Sequence, residues 1–149
     1  MVRAKMTLIK DSAGFEYDLF LAGPWEQYSK EKYKTMFKQV FPSKRFYDPE
    51  ARPSQANNSW FEDNYHAIKN SERMVAFVPD LPFPGNAQEA GMFYLFQREK
   101  GIYAPDHLIV IWNEIVKPEF GLQVVSRYPS TIFRTTREAI SFLDDIYKK

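Results

Sequence analysis

Glu89 lies in the run Gln88-Glu89-Ala90-Gly91, three residues after Asn86. Asparagine is a favoured helix N-cap, so this spacing predicts Glu89 in the first turn of a helix. The positive end of the helix dipole keeps a carboxylate there ionised near neutral pH. An ionised carboxylate facing a crevice can attack an anomeric carbon and form a covalent glycosyl intermediate. The same spacing also describes a capping box, in which Glu89 would fold back on its own helix.

Other segments carry polar chemistry at turns. Ala22-Gly23-Pro24-Trp25 is a tight turn leading into a helical stretch, where a ligand can approach the backbone closely. It lacks the Gly-Lys-Ser/Thr of a P-loop and the further glycines of a dinucleotide fingerprint. Asp48-Pro49-Glu50 ends a short strand, and Asp80 to Gly85 form a proline-rich loop before Glu89. Glu62, Asp63 and Asn64 open a second helix, where surface charge is the ordinary reason for such residues. His66 and His107 are the only histidines, far apart and without metal-ligand spacing. No metal or cofactor is expected. Ser130-Thr131 has no companions suggesting a Ser-His-Asp triad.

Elements that position these residues follow from hydrophobic patterning. Residues 17–21 are a compact apolar run, and residues 6–10 could pair with them as a hairpin, adding an antiparallel edge. Residues 25–41 read as a helix with Tyr33, Met36, Phe37 and Val40 on its apolar stripe; Lys30, Lys34 and Lys38 point elsewhere. A short strand at 45–48 and a helix at 60–70 follow. Residues 73–79 contain Met-Val-Ala-Phe-Val, which suits a central parallel strand covered on both faces. A helix at 86–99, strands at 108–112 and 131–133, and a helix at 136–147 complete the pattern. Strand–helix alternation signals βαβ units. The expected fold is a single α/β domain over 1–149: a flavodoxin-like or Rossmann-like open, mostly parallel sheet of about five strands with helices on both faces. In such a sheet, ligands bind outside the carboxyl ends of the strands.

Bulk properties narrow the partners. The 149 residues carry 20 Lys plus Arg and 19 Asp plus Glu, a net charge of +1 that argues against a general nucleic-acid binder. With no cysteine, thiol catalysis, disulfides and thiolate zinc sites are excluded. No apolar run is long enough for a membrane span, and the first ten residues do not read as a signal peptide. A cytoplasmic protein with no membrane partner is expected. Aromatic residues reach 17%, so some rings must line a pocket or an interface.

Leu19-Phe20-Leu21-Ala22-Gly23-Pro24, then Phe61 to Ile68, then Val75 to Gly91 with Gln88-Glu89-Ala90-Gly91, occur in an order that resembles the nucleoside 2-deoxyribosyltransferase-like superfamily. Gly121-Leu122-Gln123 and residues 130–133 are a weaker echo of its C-terminal part. The resemblance implies N-glycosidic bond cleavage through a glutamate nucleophile, matched by Glu89, and passage of the deoxyribose to another base or to water. Gly23 and Pro24 match the turn framing the nucleoside, and Asp48 the second strand end lining the pocket. It implies a homo-oligomer whose neighbouring subunit helps complete each site. The small-molecule partners would be a nucleoside or nucleotide and a free base.

Three positions depart from the family pattern. Asn64 stands where the family often has a base-contacting Asp, with Asp63 next door. Phe83 stands where transferases often carry an acid, with Asp80 in the same loop. Gly121 stands where transferases often present an Asn. Under this reading Asn64 or Asp63 orients the base, Trp25, Phe83 or Tyr47 stacks on it, and Gly85 belongs to the covering loop. Arg52, Arg127 and Arg134 are the candidates for holding a 5′-phosphate. Hydrolysis of a nucleoside or its monophosphate, a non-catalytic nucleotide-binding module, and an unrelated flavodoxin-like domain stay open.

Overall fold

The computed structural model describes residues 14–23, 25–26, 31–51, 59–78, 84–102, 104–112 and 130–149. Its strands are β1 (Tyr17–Ala22), β2 (Phe46–Tyr47), β3 (Ser71–Val78), β4 (Leu108–Trp112) and β5 (Thr131–Phe133). Its α-helices are α1 (Tyr33–Val40), α2 (Ser59–Lys69), α3 (Pro84–Glu99) and α4 (Thr136–Tyr147). The strands form one sheet in the order β2-β1-β3-β4-β5, and every described pairing is parallel. This is a doubly wound order whose direction of growth reverses between β1 and β3.

Side chains alternate across each strand, and both faces are covered. Phe20, Ala22, Met74, Ala76, Leu108 and Val110 face α2 and α3, packing with Ala67, Ile68, Ala90 and Phe93. Leu19, Leu21, Val75, Phe77, Ile109 and Ile111 face α1 and α4, packing with Tyr33, Phe37, Ala139 and Leu143. Double coverage explains why the strands read as unbroken apolar runs rather than alternating ones. No helix among the described residues is long and apolar enough to cross a membrane.

Several expectations need correction. The antiparallel edge is not found: β1 has β2 on one side and β3 on the other, which leaves no edge for a hairpin partner. Residues 6–10 lie outside the described residues. The first helix begins at Tyr33, not at Trp25. Its start is held by a distant side chain, since the Glu26 carboxylate accepts from the Thr35 amide at 2.8 Å and the Thr35 hydroxyl at 2.7 Å. Helix α3 begins at Pro84, two residues before Asn86. Proline suits a first helical position, because its φ is preset and its missing N–H has no intrahelical partner to lose. A capping box does occur, but on α4: the Glu138 amide donates to Thr135 Oγ1 at 3.1 Å, and the Thr135 amide donates to Glu138 Oε1 at 3.2 Å.

Candidate active site

Beside the reversal between β1 and β3, the carboxyl edge of the sheet brings together Gly23, Asp48 and the α3 end of the following loop. Gly23 has φ +148°, a region that L side chains rarely adopt. A Cβ there would run into the Tyr33 hydroxyl and sit 3.1 Å from Phe77 Cβ and 3.2 Å from the Phe77 carbonyl oxygen. Tyr33 stacks on Phe77 with ring centroids 4.3 Å apart and planes 12° apart. Its hydroxyl donates to the Ala22 carbonyl at 3.4 Å. The start of α1 is thereby locked over the end of β1.

Lys34 follows, and only 2% of it is exposed. Its ammonium donates to Asp48 Oδ1 at 2.8 Å and to Glu50 Oε1 at 3.3 Å. Lys38, one helical turn on, donates to Asp48 Oδ2 at 2.8 Å. The Glu50 amide donates to Asp48 Oδ1 at 3.0 Å, and the Glu26 amide donates to Glu50 Oε1 at 2.5 Å. Desolvation pushes the Asp48 carboxyl up, but hydrogen bonds and charge from Lys34 and Lys38 outweigh it and hold it below the ordinary carboxylate value. The helical pattern places Lys34 on an outward face. The structure buries it, because that face of α1 is covered by Asp48 and Glu50 from beyond β2.

Glu89 is the sixth residue of α3, in its second turn rather than its first. Although partly exposed, it lies deep enough that desolvation pushes its carboxyl up to about 7, with Lys34 pulling the other way. Burial, not the helix dipole, therefore governs its ionisation. The Tyr33 phenol is raised first by burial, then by the charges of Asp48, Glu89, Glu50 and Glu26. One ring thus senses four acids drawn from the segments after β1 and β2 and from α3.

Asn64 is buried on α2, and its Oδ1 accepts from the Tyr47 hydroxyl at 3.1 Å. Tyr47 lies nearly parallel to Phe20, with centroids 5.4 Å apart, so its ring packs on the core. Asp63 is exposed; Asn64, not Asp63, turns inward. Trp25 is partly buried after Gly23, and Gly85 falls in the first turn of α3. Pro24, Asp80, Phe83, Arg52, Gly121 and Arg127 lie outside the described residues, and Arg134 is exposed. Among the described residues, no group of three or more His, Cys, Asp or Glu is placed to hold a metal ion.

No family model and no curated protein matches the chain. Solved structures do. A CMP N-glycosidase from Clostridium botulinum aligns with a TM-score of 0.53 at 20% identity, over 85% of this chain and 98% of that one. A 2-deoxyribosyltransferase from Leishmania mexicana aligns with a TM-score of 0.59 at 14% identity, over 87% of this chain and 97% of that one. The chain has the nucleoside 2-deoxyribosyltransferase-like fold.

Within this deoxyribosyltransferase-like fold, the sequence pattern located Gly23, Asp48 and Glu89 at one edge. It placed Glu50 in the same strand-end segment as Asp48 but missed Tyr33, Lys34 and Glu26 as members of the cluster. One signal was available: Lys34 and Lys38 are a turn apart, and residues so spaced share a helix face. Two lysines on one face can grip a single carboxylate.

Proposed function

We propose that the chain cleaves or transfers at the N-glycosidic bond of a 2′-deoxynucleoside, with Glu89 as nucleophile. The observation that carries this reading is Glu89 itself: a largely desolvated carboxyl in the second turn of α3, ionising at about 7. A group poised near neutral pH can be an anion for attack and a good leaving group afterwards. In the first step a Glu89 oxygen bonds to C1′ and the C1′–N bond breaks. The bond's electron pair goes to the base, which takes up a proton. In the second step an acceptor nitrogen or water attacks C1′, loses a proton, and releases the Glu89 carboxylate.

Asn64 orients the base in this scheme, with Asp63 as the alternative, and Asp48 lines the pocket at the end of β2. Gly23, Pro24 and Trp25 frame one side of the nucleoside; Asp80, Phe83 and Gly85 belong to the segment that covers the other. The enzyme is proposed to act in the cytoplasm as a homo-oligomer, without a cofactor. Support comes from both structural neighbours, each named for chemistry at a glycosidic bond.

The test is incubation of the purified protein with deoxynucleosides and deoxynucleoside monophosphates, with and without a second free base. Chromatography follows base release and new nucleoside, beside a Glu89→Ala sample. Exchange lost in Glu89→Ala establishes a transferase, and base release without exchange establishes a hydrolase. No release from any substrate favours a nucleotide-binding module, to which Asn64 in place of a carboxylate already points.

A further inference from the structure

The way helix α3 ends leaves a hollow beside it. The Gly101 amide donates to the Arg98 carbonyl at 3.0 Å, and the Ile102 amide donates to the Gln97 carbonyl at 2.9 Å. This paired ending needs a residue in left-handed backbone, and Gly101 has φ +76°. It turns Ile102 back toward the last turns of α3. Phe93, Tyr94, Gln97, Ile102, His107 and Leu108 then line a hollow between α3, the 3-10 turn Pro105–His107 and the start of β4. The hollow lies at the amino edge of the sheet, opposite to Gly23 and Asp48.

Gln97 is only 5% exposed, yet half of its amide is unused. Its Oε1 lies 3.1 Å from His107 Nδ1. A carbonyl oxygen only accepts, so Nδ1 carries the proton and donates. Gln97 Nε2 is buried and has no hydrogen-bond partner among the described residues. Buried donors of this kind are rarely left unpaired. The Tyr94 hydroxyl in the same wall already accepts from Arg98 at 3.2 Å. Burial, then the nearby Arg73, pushes the His107 imidazole below its ordinary value, so no lining side chain carries a full charge at neutral pH. A charged ligand would find no counter-ion there, against a wall that is mostly hydrocarbon.

We propose that this hollow binds a small neutral molecule whose carbonyl or hydroxyl oxygen accepts from Gln97 Nε2, with its apolar end against Phe93, Ile102 and Leu108. The enclosed volume is about 20 Å³, against the ~10–15 Å³ that one water-sized group fills. Only the oxygen and the carbon beside it are enclosed, and the rest of the molecule extends through the side open to solvent. The end of an alcohol, ketone or ester has that shape. This site is independent of the chemistry proposed at Glu89.

The experiment is an NMR titration of the full chain, labelled with 15N-glutamine, using acetone, 2-propanol, acetate and methylammonium as probes. It follows the Gln97 side-chain amide, and Gln97→Met assigns the signal. Acetone and 2-propanol are expected to shift it saturably, and the two ions to bind about tenfold more weakly or worse. Ala104 also lines the hollow, so Ala104→Leu fills it without altering the amide and should abolish the shift. In 15N spectra, His107 is expected to carry its proton on Nδ1. The proposal is overturned by no saturable shift in wild type, by ions that bind as well as the neutral probes, or by a shift that survives Ala104→Leu. An amide in contact with water alone, which neither neutral probe displaces, overturns it too. So does a bare His107 Nδ1, because Gln97 would then turn its nitrogen to the imidazole and its oxygen to the hollow.

Discussion

The hydroxyl of Tyr33 occupies the space in which a side chain at Gly23 would begin. The β1 turn and the first residue of α1 were therefore shaped against each other. Gly23→Ala should cost roughly 1–3 kcal/mol, from backbone strain at φ +148° together with the clash. Chemical denaturation measures it. In a Tyr33→Phe background the same substitution should cost less, because the obstructing oxygen is gone. An equal cost in both backgrounds would assign the whole effect to the backbone.

Glu89 should make the native state less stable in alkaline than in acid solution. Its carboxyl ionises at about 7 when folded, against an ordinary 4.5. Between those values the native state holds the proton more tightly than the unfolded chain does. Its contribution is thus full below 4.5 and is lost as pH rises through about 7. Glu89→Gln should match wild type at pH ~4 and exceed it by roughly 1–3 kcal/mol at pH ~8. Thermal melts at the two pH values check this; a Gln variant no more stable at high pH would mean that Glu89 is not desolvated.

Asp48 should behave in the opposite sense. Desolvation pushes its carboxyl up, but Lys34 and Lys38 hold it below its ordinary value. Its contribution is present above the unfolded-state pKa and is lost as pH falls through the folded one. Asp48→Asn should lose about 2–4 kcal/mol at neutral pH, since Lys34 keeps only Glu50 as a full charge partner. The gap to wild type should narrow in strong acid, where both proteins have a neutral group there. Urea titrations across the acid range would show it.

The Tyr47–Asn64 hydrogen bond gives a conservative and a disruptive variant at one position. Asn64→Leu should lose about 1–3 kcal/mol by removing the buried acceptor of the Tyr47 hydroxyl. Asn64→Asp keeps an acceptor and should retain more of the stability. Melting temperatures rank the two, and the reverse order would show that the bond at 3.1 Å is not what holds Asn64 inward.

Much of the fold was readable from pattern. The apolar runs at Leu108–Trp112 and Thr131–Phe133, and the amphipathic Thr136–Tyr147, coincide with β4, β5 and α4. Local signals failed where two of them competed. Asn86 is a good cap, but Pro84 two residues earlier is a good first helical residue, and the helix starts there. That two-residue shift moved Glu89 from the first turn to the second and changed what controls its charge. Helix α1 starts at Tyr33, where the Glu26 carboxylate, nine residues from Thr35, holds the Thr35 amide, a long-range contact that no local pattern shows.

The sequence by itself determined the order of the described strands and helices, the apolar faces that must be covered, and the presence of Gly23 and Asp48 at strand ends. Those properties depend on neighbours along the chain, and periodicity records them. Only the tertiary structure decided that Lys34 is buried between Asp48 and Glu50, that Asn64 turns inward while Asp63 does not, and that Glu89 ionises near neutrality. Desolvation and charge coupling depend on distances between segments far apart in sequence. A helical repeat shows which residues share a face, but it carries no information about what lies against that face.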